Sequence, residues 1–261
     1  MIKSPDGEGV ITKQIMTELL FLNDHYMKEF DATILEVPSV NSLVLDRTAI
    51  YPRGGGQPSD RGWLTVEEGG PRFETLESSK ENGKAIHQIT SQISDLERSR
   101  LVGKKVRGTI DWDLRYKHMR QHTALHILSG VVYHQFQSRI TGGQIYPDRA
   151  RLDFTLSEMN REKLDLIESE VNRIVSMNAD VRAFWIGTEE ALQRSELYRL
   201  SADLLPKGLD KLRIVEIVGF DAQLDGGTHV AKTGEIGKIK ISKTENKGKD
   251  NKRIEIVLDQ H

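Results

Sequence analysis

The chain has 261 residues, which is enough for one or two domains that bury a core without disulfides. Its 37 Lys and Arg residues nearly balance its 39 Asp and Glu residues, which excludes a strongly basic protein that coats nucleic acid by charge alone. It has no cysteine, and therefore no disulfide and no thiolate nucleophile or metal ligand. It also has no apolar stretch of membrane-spanning length, and its polar N-terminus is unlike a signal peptide, so we expect a cytoplasmic protein without a membrane partner.

The first half of the chain is typical of a small β-barrel, because short β-branched runs alternate with glycine-rich turns. We expect residues 1–15 to form an extension and a helix to cover residues 14–29. The predicted strands that follow are 32–37, 42–46, 62–66, 84–89 and 105–110. Three successive glycines at positions 54–56 lie in the loop 51–62 and allow backbone angles that are closed to other residues.

The pattern changes near Asp111. Asp111 or Asp113 can cap a long helix whose buried stripe is Leu125, Leu128, Val132 and Phe136. The elements predicted after it are a turn at 141–143, a strand at 151–155, a helix at 157–177, strands at 181–186 and 213–218, and a hairpin of 236–242 with 253–258. We therefore predict a glycine-rich barrel domain over residues 16–108 and a second domain over residues 109–261.

The long helix carries the first candidate chemistry. His122 and His126 are four residues apart, so both rings project from one helix face and can bind one metal ion. His118 precedes His122 by the same spacing, so the spacing alone leaves open which pair is used. Two histidines on a partly wet helix face are the structural alternative.

A second cluster follows the strand at 213–218, in the segment Asp225-Gly226-Gly227-Thr228-His229. Two glycines let the backbone approach a ligand closely, and Asp225 and His229 can both turn inward. A tight turn with an incidental histidine is equally compatible with the sequence. Together with His122 and His126, the cluster supplies three imidazoles and one carboxylate, a credible Zn²⁺ ligand set.

These segments resemble a known family. Gly-Gly-Gln-Pro-Ser-Asp-Arg-Gly at 55–62, Arg-Gln-His-Thr-Ala-Leu-His at 120–126, Arg-Leu-Asp-Phe at 151–154, Gly-Gly-Thr-His-Val at 226–230 and Thr-Gly-Glu-Ile-Gly at 233–237 are similar, in the same order, to the alanyl-tRNA editing proteins called AlaX. The glycine-rich first half resembles the medium-length AlaX-M type. The resemblance implies an α+β fold, with a small N-terminal β-barrel followed by an α/β editing domain of the threonyl/alanyl-tRNA synthetase type.

The resemblance also implies an ATP-independent hydrolase that acts on the acceptor end of tRNA(Ala) and deacylates mischarged Ser-tRNA(Ala), with Gly-tRNA(Ala) as a second candidate substrate. An alanine pocket excludes serine and glycine poorly, so translation fidelity needs a second, hydrolytic site. The resemblance places the zinc ligands at His122, His126 and His229, whereas the family's cysteine position falls on Asp225. An oxygen ligand is harder than a thiolate and reduces the preference for zinc, so Asp221 as the ligand and a site of three histidines are the alternatives.

Further contacts to the substrate are predicted from the same two clusters. The backbone N–H groups that can stabilise a developing oxyanion are those of Gly226, Gly227 and Thr228. Thr141, beside Gly142 and Gly143, is either the hydroxyl that reads a serine side chain or a simple turn residue. A metal ion can activate water or anchor the aminoacyl group, and the sequence does not choose between the two. The chain has no Gly-x-Ser-x-Gly motif, which argues against a covalent nucleophile.

The C-terminal hairpin is locally basic, with seven Lys and Arg residues against two acidic residues between positions 238 and 253. This excess of positive charge favours binding of a tRNA backbone, although a charged hairpin tip is often only exposed to solvent. The candidate tRNA contacts are Lys243, Lys247, Lys249, Lys252 and Arg253. The competing hypotheses are a non-catalytic RNA- or synthetase-binding module with a decayed metal site, and a metallohydrolase of small esters. The sequence suggests no protein partner.

Overall fold

The computed structural model describes residues 16–199 and 209–259 and has the predicted α+β composition. Its strands are β1 (Glu18–Leu19), β2 (Glu29–Ser39), β3 (Ser42–Leu45), β4 (Arg47–Thr48), β5 (Gly62–Val66), β6 (Arg72–Glu81), β7 (Lys84–Ile89), β8 (Lys105–Ile110), β9 (Ile140–Ile145), β10 (Ala150–Phe154), β11 (Val181–Gly187), β12 (Lys211–Ile217), β13 (Asp221–Leu224), β14 (Ile239–Gly248) and β15 (Asn251–Leu258). Its helices are α1 (Asp95–Leu101), α2 (Trp112–Phe136), α3 (Arg161–Ser176) and α4 (Thr188–Gln193), with 3₁₀ turns at Leu20–Leu22, Ser195–Leu197 and Thr233–Ile236. No helix in the described part of the chain is long and apolar enough to cross a membrane.

The predicted barrel is confirmed as a closed, antiparallel sheet of six strands in the order β2-β3-β7-β6-β5-β8. Strands β5, β7 and β8 coincide with their predictions because their buried and exposed residues alternate, as in Gly62–Val66, where Leu64 faces the core. Strand β6 escaped the sequence analysis because polar Thr75 and Ser78 point into the barrel while Leu76 is exposed.

The predicted helix over residues 14–29 is wrong in its described part. Residues 16–29 contain strand β1, a single 3₁₀ turn and the start of β2. The side chain of Asp24 accepts a hydrogen bond from the backbone N–H of Tyr26 at 2.8 Å, a local turn that competes with helical hydrogen bonds.

In the second half, helix α2 packs against helix α3 and the antiparallel sheet β14-β15-β10-β9, while β11-β12-β13 form a further sheet. Asp111 is the N-cap of α2, since its side chain accepts from the N–H of Leu114 at 3.2 Å. Leu125, Leu128 and Val132 are buried in the core of this half, as predicted. Because α2 is surrounded on most sides, polar residues on it are buried as well.

Three boundaries differ from the sequence prediction. The turn predicted at 141–143 is wrong, because strand β9 runs through it and pairs Gly143 with Leu152 of β10. A Cβ on Gly143 would lie 2.8 Å from the Leu152 side chain. Glycine at this position therefore allows the two strands to pack closely and does not form a turn. Helix α3 begins at Arg161 with Asn160 as its N-cap, later than predicted. The C-terminal hairpin starts at Ile239, because Thr233–Ile236 form a 3₁₀ turn.

The two halves meet through buried contacts. Arg115 of α2 and Asp60 of the loop before β5 form an ion pair in which neither side chain is exposed, and Arg115 also donates to the carbonyl of Ala49. The N–H of Ile145 in β9 donates to the carbonyl of Gly56 at 2.8 Å. Gly56 needs to be glycine, because its φ is +84° and a Cβ would lie 2.7 Å from the carbonyl oxygen of Gly143. The domain division at residues 16–108 and 109–261 stays a prediction.

Candidate metal centre

Four predicted ligands come together at one point. One ligand atom from each of His122, His126, Asp225 and His229 lies within 4.8 Å of the other three. Asp225 Oδ1 is 3.4 Å from Nε2 of His122 and 3.9 Å from Nε2 of His126, and Oδ2 is 2.9 Å from Nε2 of His229. Ligands held 2.0–2.2 Å from one tetrahedral ion lie about 3.3 Å apart, so this donor set fits Zn²⁺.

Two elements present these ligands. One turn of α2 separates His122 from His126 and places their ring centroids 5.1 Å apart. The loop after β13 brings the His229 ring within 4.4 Å of the His122 ring and 4.5 Å of the His126 ring. A Cβ on Gly227 would lie 2.3 Å from Cε1 of His122, so only glycine lets this loop pass over the histidine.

The tautomer of His122 is set by Gln57, which comes from the glycine-rich loop of the barrel half. The Nε2 of Gln57 donates to Oγ1 of Thr228 at 2.9 Å, while its Oε1 accepts from the N–H of Thr228 at 3.2 Å. These bonds orient the amide so that Oε1 also accepts from Nδ1 of His122 at 2.8 Å. The proton is therefore on Nδ1, and the Nε2 lone pair of His122 faces the ligand cluster.

Thr123 sets the tautomer of His229 in the same way. Its hydroxyl donates to the carbonyl of Met119 at 3.0 Å, so the oxygen is left to accept from Nδ1 of His229 at 3.1 Å. The Nε2 of His229 is thereby free to bind a metal ion. Neither Gln57 nor Thr123 was predicted as a site residue, although both lie inside the segments that carry the family resemblance.

The electrostatics of the cluster suit a divalent cation. Burial opposes ionisation of Asp225, but the neighbouring imidazoles, His122 first among them, hold the pKa of this carboxyl well below its usual range. Burial lowers the pKa of His229 well below its usual value, and it lowers the pKa of His126. His126 and His229 are thus neutral and the Asp225 carboxylate is charged, which are the protonation states that metal binding requires.

His25 and Arg213 support the loop from behind. Arg213 donates to the carbonyls of Asp225 and Gly227, both at 3.1 Å, and to Nε2 of His25. The Nδ1–H of His25 then donates to the carbonyl of His229 at 3.0 Å. Burial, followed by the charge of Arg213, lowers the pKa of His25 to about 4, so this ring is neutral near pH 7. Both residues were missed by the sequence analysis, His25 because it lay in the wrongly predicted helix.

The alternatives left open by the sequence lie outside the cluster. Asp221 forms a buried ion pair with Arg199 and accepts from Nε2 of Gln223 at 2.7 Å, so it does not replace Asp225. His118 is buried one turn before His122 but is not part of the cluster, and neither of its ring nitrogens has a hydrogen-bond partner among the described residues.

A cavity of about 110 Å³ opens beside the cluster. His122, His126 and Asp225 line it, together with apolar side chains and Gly143. Thr141 does not: its side chain is exposed, and its hydroxyl lies 3.3 Å from the amide oxygen of Asn251. Gly142 pairs with Asp153 in the sheet.

The predicted oxyanion donors are partly occupied. The N–H of Gly227 donates to Oδ2 of Asp225 at 2.5 Å, and the N–H of Thr228 is bound to Gln57. The Thr228 side chain is buried beneath the loop. Gly226 is exposed at the edge of the loop.

Comparison with known proteins places this site in a family. Residues 212–255 match the threonyl and alanyl tRNA synthetase second additional domain, and residues 9–114 match class II (A) tRNA synthetases. The alanyl-tRNA editing protein AlaX-M of Methanosarcina acetivorans is 40% identical over 243 residues, which are 93% of this chain and 99% of that protein. The AlaX-M of Saccharolobus solfataricus is 42% identical over 240 residues, 92% of this chain and 98% of that protein.

The chain belongs to the AlaX-M family of alanyl-tRNA editing proteins. It is therefore an enzyme of the aminoacyl-tRNA hydrolase class. The alanine–tRNA ligase of Pyrococcus furiosus is 37% identical over 234 residues, which are 88% of this chain but 24% of the ligase. The AlaX-M chain thus corresponds to a segment of that longer protein.

A large groove of about 870 Å³ adjoins the small cavity in this AlaX-M protein. Gly56, Gln144 and Ile145 line both, so the two spaces are neighbours. The groove is also lined by His118 and by two arginines of the barrel loop, Arg53 and Arg61.

The basic hairpin is largely neutralised by its own neighbours. Lys252 is buried and donates to the carbonyls of Gly248 and Lys249, and Arg253 forms two hydrogen bonds with Asp153. Lys243 and Lys247 pair with Glu245, and the backbone at Lys249 forms the exposed tip.

Proposed function

We propose that this protein hydrolyses the ester of mischarged Ser-tRNA(Ala) with the help of Zn²⁺ bound by His122, His126, Asp225 and His229. The observation that supports it most is the convergence of four donor side chains on one point at the wall of a small cavity. Gln57 and Thr123 fix two of the rings in advance, as outer hydrogen bonds do in metal centres.

The chemistry is divided between the ion and the chain. A bound zinc ion would polarise the ester carbonyl or lower the pKa of a water molecule. The chain orients the donors through buried hydrogen bonds, and the small cavity limits the bound amino acid to a short side chain. The apolar part of its wall limits competing water.

We place the 3′ end of tRNA(Ala) in the large groove, because an ester bound at the cluster must continue into the neighbouring space. Arg53 and Arg61 would offer charge to the phosphates. At the hairpin, Lys249 is the best candidate for a further phosphate contact, since the other basic residues there already have partners. Cytoplasmic location stays part of the proposal.

The test is deacylation of Ser-, Gly- and Ala-tRNA(Ala), measured with and without a zinc chelator. We expect rapid release of serine, little release of alanine, loss of activity with the chelator and recovery with added Zn²⁺. If the zinc-loaded protein binds tRNA(Ala) but hydrolyses none of the three esters, the proposal fails and the RNA-binding module is correct. The complete ligand set argues against such decay.

A further inference from the structure

The cavity beside the metal centre has a selectivity problem that its apolar wall does not solve. Six of the side chains that line it are aliphatic: Leu125, Ile140, Ile145, Leu152, Leu197 and Leu224. Such a wall would favour the methyl group of alanine, which is the correct amino acid on tRNA(Ala), over the hydroxymethyl group of serine. A site that hydrolyses the seryl ester therefore needs a polar group in this wall.

Two polar side chains of the wall are already committed to each other. The hydroxyl of Ser129 donates to Oε1 of Gln223 at 2.8 Å. The Nε2 of Gln223 donates to the carbonyl of His126 at 2.9 Å and to Asp221 at 2.7 Å, which uses both of its hydrogens. These groups have no donor left for a substrate.

Arg199 is also held by the protein. Its guanidinium pairs with Asp221, donates to the carbonyl of Glu196 and lies 4.1 Å from the ring centroid of Tyr133. Its charge is thus balanced and its position fixed. It forms part of the wall, and its buried Nε–H has no partner among the described residues, but this donor belongs to a guanidinium that these contacts hold in place.

Tyr198 remains. It lines the cavity, and 91% of its surface is buried, since its exposure is 9%. Its hydroxyl has no hydrogen-bond partner among the residues that the structure describes. A buried hydroxyl without a partner is unfavourable, so a partner supplied by a ligand would stabilise the complex.

We propose that the hydroxyl of Tyr198 reads the side-chain hydroxyl of the seryl group and is a specificity determinant of this site. The inference rests on the proposed function. A phenol both donates and accepts a hydrogen bond, which matches an alcohol. An alanyl ester leaves the phenol unpaired, so the same group that accepts serine disfavours alanine. Tyr198 thereby takes the role that the sequence analysis gave to Thr141, whose hydroxyl lies against Asn251.

The sharpest test is Tyr198→Phe, which removes one oxygen and keeps the ring. We expect kcat/KM for Ser-tRNA(Ala) to fall about tenfold to a hundredfold, while that for Ala-tRNA(Ala), measured at high enzyme concentration, stays the same or rises. Zinc affinity should equal that of the parent, because Tyr198 is not a ligand. The matched control is Tyr133→Phe, which also touches Arg199 but does not line the cavity.

Three results would overturn the proposal. In the first, Tyr198→Phe keeps the parental ratio of seryl to alanyl hydrolysis. In the second, both rates fall together with zinc affinity, which shows a structural role. In the third, Tyr133→Phe changes the ratio as much as Tyr198→Phe does. A parent protein that deacylates neither ester would instead refute the proposed function, so the two failures are distinguishable.

Discussion

The Nδ1 atom of His122 lies 2.8 Å from Oε1 of Gln57, although 65 residues separate them in the chain. One residue comes from helix α2 and the other from the glycine-rich loop of the barrel half. The same amide holds the backbone and side chain of Thr228, next to the ligand His229. The barrel half therefore takes part in building the metal centre, besides lining the groove that leads to it.

Replacing Gln57 by Ala should weaken the metal centre without removing a ligand. His122 would lose the acceptor that fixes its tautomer and ring orientation, so we expect zinc affinity to fall about tenfold to a hundredfold. Competition with a chelating dye measures this directly. Gln92→Ala, at an exposed position of the barrel half, is the control. Equal affinities for the Gln57→Ala variant and the parent would show that the hydrogen bond is dispensable.

A methyl group on Gly227 should be far more harmful than one on Gly226. The added Cβ at 227 would lie 2.5 Å from Nδ1 of His122 and 2.7 Å from Oε1 of Gln57, whereas no atom of the described residues lies within 4 Å of a Cβ at 226. We expect Gly227→Ala to lose zinc affinity and about 1–3 kcal/mol of unfolding free energy. Gly226→Ala should match the parent in both. Urea unfolding and zinc titration of the pair provide the check, and similar values for the two variants would contradict the close packing.

The sequence predicts those parts of the fold in which local pattern and burial agree. Strands β5, β7 and β8 coincide with their predictions because buried and more exposed residues alternate along each of them. Residues 16–29 and strand β6 do not follow this rule, since an Asp24 turn interrupts one and polar residues fill the inner face of the other. The β-propensity of single residues and the alternation of apolar with polar residues therefore do not predict these two segments.

The sequence likewise predicts only some of the residues of the candidate site. Helical spacing and the family resemblance together pointed to the ligands His122, His126, Asp225 and His229. Their supports could not be found in this way, because Gln57 and Thr123 act through contacts across 65 and 106 residues. Tyr198 carries no motif, and only its buried hydroxyl in the folded cavity, which has no partner within residues 16–199 and 209–259, draws attention to it.

His87 should make the protein less stable in mild acid. Burial inside the barrel lowers its pKa to about 4, against 6.5 in the unfolded chain, and its Nε2 has no partner among the described residues. The unfolded state therefore binds more protons between these two values, so stability falls as the pH drops from 6.5 toward 4. The loss attributable to His87 is about 2 kcal/mol between pH 7.5 and pH 5.

The measurement for His87 is urea unfolding of the parent and His87→Gln at both pH values. The Gln side chain does not titrate but can still reach Ser78, whose hydroxyl lies 2.7 Å from Nδ1 of His87. We expect a shallower pH dependence for His87→Gln, while the contributions of the other histidines cancel in the comparison. Identical pH dependences would show that His87 is protonated without cost in the folded state.

Asp225 stands where the family resemblance places a cysteine, and its substitutions test the fourth ligand of the proposed metal centre. Asp225→Asn keeps the shape but replaces the carboxylate by a neutral amide, a poorer donor to a dication. We expect zinc affinity to fall by at least the roughly tenfold that losing an outer hydrogen bond costs, with deacylation falling in parallel. Asp225→Cys should retain or tighten zinc binding, because a thiolate is the softer donor.

The control for Asp225 is Asp221→Asn, in the same loop region. Asp221 is held by Arg199 and Gln223, so its loss should reduce stability but leave the affinity of the folded protein for zinc largely intact. If Asp225→Asn binds zinc and deacylates Ser-tRNA(Ala) as well as the parent, the centre is a site of three histidines. The Asp225 carboxylate would then orient His229, because its Oδ2 lies 2.9 Å from Nε2 of that ring. It would also accept a hydrogen bond from the backbone N–H of Gly227.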